Sequence, residues 1–185
     1  MKHLQHPARR GVLAIHVTAS AGWLGLTLGL LALALTALSS GSPSAAEASY
    51  RSMKVFTDWL VLPIALVTLL SGLVLSLGTP WGLARHRWVV AKFWLTLATT
   101  VASVVLLRPG VDRAAAAAVS GLPVPEPRDL VMGPAVSLAA YVFMTVVSLL
   151  KPWGPTRRGR RLRSASRRTP GSRKGVDARS VRRTA

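Results

Sequence analysis

The chain has 185 residues, enough for one domain, with half of its composition apolar, a formal net charge of +18 and no cysteine. Residues 151–185 hold 13 of the 24 Lys and Arg against a single acid, Asp177, so the charge is concentrated in a tail behind an apolar body. That division excludes a disordered protein, a disulfide scaffold and an ordinary soluble enzyme.

Residues 1–11 form a short basic arm with Lys2, Arg9 and Arg10. The first apolar run, 12–38, carries no Lys, Arg, Asp or Glu over 27 residues. As a helix it reaches about 40 Å, more than a hydrocarbon core of about 30 Å needs. Tilt or a protruding turn takes up the surplus. The run is nearly twice the length of a signal-peptide apolar region, so it reads as a retained span. Residues 40–54 read as a short polar loop. The second run, 55–77, carries one acid, Asp58, near its start, and Pro63 should kink it. The next loop holds Arg85, His86 and Arg87, bracketed by Trp81 and Trp88 as interfacial anchors against lipid. The third run, 88–107, carries Lys92 in its second turn. Within the connection 108–129, the alanine-rich stretch 112–120 predicts a short surface helix, and the prolines of 122–127 predict extended chain. The fourth run, 130–150, is uncharged, with Pro134 expected in a tolerant first turn.

Each run can cross a bilayer. A backbone in lipid must satisfy its own polar groups, and the period-two alternation of a barrel is absent. The expected fold class is therefore all-α: a four-helix transmembrane bundle over 12–150, followed by a disordered polybasic tail over 151–185. Lys2, Arg9, Arg10, Arg85, Arg87 and Lys92 outnumber Arg51, Lys54, Arg108, Arg113 and Arg128 by six to five before the tail is counted. The positive-inside rule then places both termini in the cytoplasm of a bacterial cell, with the chain in the inner membrane. The tail, Arg157, Arg158, Arg160 and Arg161 among it, is expected against anionic lipid headgroups, worth roughly 1 kcal/mol per basic residue near the surface. Nucleic acid is not the expected partner, because no aromatic residue follows Trp153.

Ionisable side chains inside spans are costly and mark candidate sites. They are His16, Asp58 and Lys92, with His86 at a span boundary. His16, Ser20, Trp23 and Thr27 share one helix face, and Trp88, Lys92, Thr96, Thr99 and Ser103 share another. Both faces should point into the bundle. His16 and His86 are expected at similar depth, Asp58 near the opposite surface, and Lys92 is expected to snorkel to the cytoplasmic surface. Gly22, Gly25 and Gly29 make a small-residue face suited to close helix approach and to a homo-oligomer. Two histidines at one depth could hold one b-type haem or a metal, with Lys92 beside them. The plainer reading gives His16 a hydrogen bond to a neighbouring helix and leaves His86 in an interfacial loop. No nucleotide loop, hydrolase triad, HExxH motif or paired intramembrane carboxylates occur, so the sequence leans away from an enzyme.

The stretch 71–92, SGLVLSLGTPWGLARHRWVVAK, together with His16-Val-Thr-Ala-Ser-Ala-Gly-Trp-Leu-Gly25, resembles an uncharacterised family of actinobacterial four-span integral membrane proteins, over roughly residues 10–150. More distantly, His16 followed by Trp23 and Gly25, with Trp88 and Lys92 later, resembles the copper-resistance CopD domain and HemJ-type haem-binding membrane proteins. That resemblance implies His16 as an axial haem or metal ligand and Lys92 as a polar group near it. Two functions stand: a non-catalytic or accessory membrane protein, or a haem- or metal-binding protein with a redox or copper-related role centred on His16.

Overall fold

The computed structural model describes residues 6–78 and 87–150; Trp81, Arg85, His86 and the basic tail lie outside the described residues. The described chain is helical apart from two connections. Helix α1 (His6–Ser39) is followed by α2 (Pro43–Phe56), a π-helical turn (Thr57–Val61) and α3 (Leu62–Gly78). Helix α4 (Arg87–Ala102) then runs through a second π-helical turn (Ser103–Leu107) into α5 (Arg108–Val119), and α6 (Asp129–Leu150) ends the bundle.

Four continuous rods result: α1, α2–α3, α4–α5 and α6, each long and apolar enough to cross a membrane. Helix α1 packs on α2, α3 and α6, while α4 packs on α3 and α6. The chain therefore runs up and down in a four-membered ring. We call the end where α1 begins and α6 finishes proximal, and the opposite end distal.

Polarity is inverted relative to a water-soluble globule. Trp59, Trp94, Val105, Leu106 and Leu149 are more than 60 % exposed, whereas Thr27, Thr68, Ser71, Thr99, Thr100 and Ser103 are buried. Apolar chains outside and hydroxyls inside suit lipid as the solvent, since each buried hydroxyl can bond a helix carbonyl. Thr27 donates to the Trp23 carbonyl, Thr99 to Leu95, and Ser103 to Thr99.

Residues 40–54 are not a loop. Ser42 caps α2 by accepting from the Ala45 amide, and Pro43 occupies the first turn, where its missing N–H costs nothing. Helix α2 buries Tyr50 and Met53 against Leu30 and Ala34 of α1 and Val111, Ala114 and Ala115 of α5. Helix α5 begins at Arg108, four residues earlier than the expected surface helix, and it is part of this distal core. It closes on Gly121, whose φ of +67° permits bonds from Gly121 N–H to the Ala118 carbonyl and from Leu122 N–H to the Ala117 carbonyl. Pro134 is buried in the second turn of α6, one turn deeper than expected, because that helix begins at Asp129.

Candidate functional site

The proximal third of the bundle contains a polar layer to which every rod contributes. On α1, His16 is half-buried. Its Nδ1 lies 3.1 Å from the Thr68 carbonyl and 3.0 Å from Ser71 Oγ, both on α3. A carbonyl only accepts, so Nδ1 carries the proton and Nε2 keeps the lone pair of the neutral ring. The Ser71 hydroxyl donates to the Val67 carbonyl, which leaves its oxygen to accept from His16. The imidazole rests on Gly72: a Cβ at that position would come within 3.0 Å of His16 Cε1. Glycine there is what allows α1 to carry a ring at this contact.

On α4, the Lys92 ammonium donates to Ser148 Oγ on α6 at 2.5 Å. That acceptor lies in the last turn of α6, at the proximal end, and takes one of the three ammonium protons. The structure sets His16 against α3 and Lys92 against α6, through Thr68, Ser71, Gly72 and Ser148, which the sequence did not single out. Trp88 is partly buried in the first turn of α4.

Above this layer Trp23 packs on Tyr141, with ring centroids 5.0 Å apart. The Tyr141 hydroxyl and Thr68 Oγ1 are buried without a hydrogen-bond partner. The Tyr141 hydroxyl faces those of Thr27 and Thr99, which donate to helix carbonyls and so present only lone pairs toward it, without closing a hydrogen bond. Thr96 donates to the Met144 thioether at 3.5 Å. Of the two predicted stripes, Trp23, Thr27, Thr99 and Ser103 are buried, while His16, Ser20, Trp88, Lys92 and Thr96 are partly buried. The glycine face of α1 is open: a methyl group placed on Gly22 or Gly25 would meet nothing within 4 Å, and one on Gly29 would meet only Phe56 at 3.7 Å.

Asp58 lies at the distal end, away from Lys92. Its Oδ1 accepts from Arg108 Nη2 at 3.1 Å and its Oδ2 from Lys54 at 3.0 Å, and Lys54 also bonds Asp112. Glu47 pairs with Arg51 at 2.8 Å on the same end. The Lys54–Asp112 pair joins α2 to α5, and the Arg108–Asp58 pair joins α5 to the turn after α2, which accounts for the acid in the second apolar run.

Among the described residues no three His, Cys, Asp or Glu converge on a possible metal position. One ring nitrogen of His16 is committed to α3, so the described residues offer Nε2 alone as a strong ligand in this layer. A closed metal site or a doubly ligated haem needs more donors than that.

Four apolar rods with an inverted exterior and a hydroxyl-lined interior define a polytopic helical membrane protein. Residues 11–151 match the family described as predicted integral membrane protein (DUF2269), and the chain belongs to that family. No curated protein and no solved structure matches it.

Proposed function

We propose that this is a non-catalytic, accessory four-span protein of the bacterial inner membrane, with both termini cytoplasmic. The observation that carries this reading is the use made of His16. Its Nδ1 ties α1 to the Thr68 carbonyl and Ser71 hydroxyl of α3, and its ring fills the space above Gly72. That is a packing role, in which the histidine supplies a helix-to-helix hydrogen bond. The open face at Gly22 and Gly25 supports contact with a further helix, from a second copy or from a partner subunit. The basic tail supports the cytoplasmic placement and contact with anionic headgroups.

One observation favours a second reading. A histidine whose Nδ1–H bonds a carbonyl presents Nε2 in the tautomer that a haem iron or copper ligand uses. The likeness of His16, Trp23, Gly25, Trp88 and Lys92 to copper-resistance and HemJ-type proteins supports the same idea, with His86 as a second ligand. Purification from haem-replete cells decides between them, using an absorbance spectrum and elemental analysis. A colourless, metal-free protein is expected, and His16→Gln should still assemble. A Soret band or bound copper that disappears in His16→Ala overturns the non-catalytic reading.

A further inference from the structure

The distal end of the bundle carries a groove and, close to it in the chain, an exposed apolar knob. Helix α2 holds Glu47, Arg51 and Lys54, which charge keeps out of hydrocarbon, so α2, α5 and the loop 120–128 form a head in water. Between α2 and α5 runs a groove of about 400 Å³, with Ala115, Ala116 and Val119 as its floor and Arg51 and Lys54 on its rim. Val119 is 55 % exposed, and Leu122, just past the end of α5, is 62 % exposed. Apolar side chains gathered on a surface in water mark a contact site. The Leu122 N–H bonds the Ala117 carbonyl, so Leu122 stands at the height of the last turn of α5, level with the upper floor of the groove. The loop that carries it is fixed. Val124 packs on the distal core, the Asp129 N–H bonds the Glu126 carbonyl, and Glu126 is held at a φ of +48°, a conformation uncommon outside glycine.

We propose that the head is a dimerisation surface, on which Leu122 of each copy enters the Ala116–Val119 groove of the other. Copies in one membrane share an orientation, so their two-fold axis lies along the membrane normal and keeps every residue at its own height. One rotation then brings knob and groove together twice. Charge fits the same occupant. Glu126, in the loop that bears the knob, is exposed and has no ion pair among the described residues. Arg51 meets Glu47 through Nη2 and keeps most of its five donors for a second carboxylate. Residues 43–61 and 103–129 hold five Lys and Arg against five Asp and Glu, so the head is neutral in a chain of +18 and two heads do not repel. The contact is small, so the dimer exchanges, and the groove floor stays open to reagents in the free copy. This surface is separate from the glycine face of α1 and does not rest on the non-catalytic reading.

The test uses the full-length protein and exploits its lack of cysteine. Differently tagged copies bearing Leu122→Cys and Ala116→Cys, co-expressed and oxidised in the membrane, should give roughly fivefold or more covalent heterodimer over a control pair, because a disulfide forms only where Cβ atoms come within about 4.5 Å. The control pair is Ala48→Cys with Ala116→Cys, since Ala48 is exposed on α2 outside the groove. In maltoside, native mass spectrometry of the wild type should show a dimer. Leu122→Asp should raise its dissociation constant about tenfold with helix content unchanged, a loss of roughly 1.4 kcal/mol. Glu126→Arg and Arg51→Glu should each weaken the dimer several-fold, and the two together should restore it. Equal cross-linking of the two pairs, a monomeric wild type, or a dimer indifferent to Leu122→Asp overturns the proposal. So does a dimer lost in Gly22→Leu and kept in Leu122→Asp, which assigns association to the glycine face of α1. An Ala116→Cys copy that cross-links to a foreign protein and never to Leu122→Cys overturns it as well, by giving the groove to another partner.

Discussion

The contact between His16 and Gly72 is the tightest test of how the proximal layer is built. A methyl at position 72 would approach His16 Cε1 to 3.0 Å, so the ring must move, and moving it stretches both hydrogen bonds from Nδ1. Gly72→Ala should destabilise the bundle by about 1–3 kcal/mol, the usual range for overpacking. The penalty should largely vanish in a His16→Ala background, which a double-mutant cycle read by unfolding in mixed micelles would show. A penalty of equal size in both backgrounds would mean that the ring is not what Gly72 accommodates. Tyr141 predicts the opposite sign. Its hydroxyl is buried without a partner, so Tyr141→Phe removes an unsatisfied group and keeps the ring contact to Trp23. The same unfolding assay should register a gain of about 1 kcal/mol, and a clear loss would show that the hydroxyl has a partner after all. His16 and Lys92 were legible in the sequence because ionisable groups stand out in apolar runs. Thr68, Ser71 and Ser148 were not, because a helical serine or threonine bonds its own preceding turn by default. Only the packing of α1 on α3 and of α4 on α6 shows which of them also serve a neighbour.

At the scale of elements, both long rods change register just before a proline. One π-helical turn, Thr57–Val61, precedes Pro63, and the other, Ser103–Leu107, precedes Pro109. A proline cannot donate to the carbonyl four residues back and its ring crowds that carbonyl, so a locally widened helix relieves both conflicts. The kink expected at Pro63 takes this form. The two widened turns touch each other, and Asp58 in the first bonds Arg108 immediately after the second, so the change of register carries the salt link between rods. Beyond it α5 approaches α2 closely because its buried face is built from Val111, Ala114 and Ala115. Ala114 has no exposed surface, so Ala114→Leu has nowhere to place its added carbons and should cost about 1–3 kcal/mol. Ala116→Leu, on the exposed side of the same helix, should cost little, and equal effects at the two positions would refute the packing. The four apolar runs were legible because a charge-free stretch of span length is rarely anything but a membrane helix. Helix α2 was missed because its Ser, Pro, Glu and Arg content resembles a loop. The local signal was Ser42 before Pro43, a cap followed by a first-turn proline, then Ala45, Ala46 and Glu47 as good helix formers.

For the whole molecule, rod length is the governing quantity. Helix α1 has 34 residues and spans about 51 Å, and the rod from Pro43 to Gly78 has 36 residues and spans about 54 Å, against a hydrocarbon core of about 30 Å. Tilt absorbs only part of the difference. The remainder stands outside the core at the distal end, where α2 and α5 carry the charged residues and where the core of Leu30, Tyr50, Met53 and Val111 resembles that of a water-soluble domain. The bundle is thus a membrane-spanning polar-lined base supporting a small distal head. Because the chain has no cysteine, single cysteines report this division without background. Ala48→Cys on α2 and Ala116→Cys on α5 occupy exposed positions of the head and should react with a membrane-impermeant maleimide added to intact spheroplasts. Val105→Cys, 61 % exposed but beside the apolar groove of α4, should stay unlabelled until detergent is added, since its surroundings are hydrocarbon. Under the proposed orientation Ala185→Cys should label only after lysis, and labelling of that position in intact spheroplasts, with Ala48→Cys protected, would invert the molecule in the membrane.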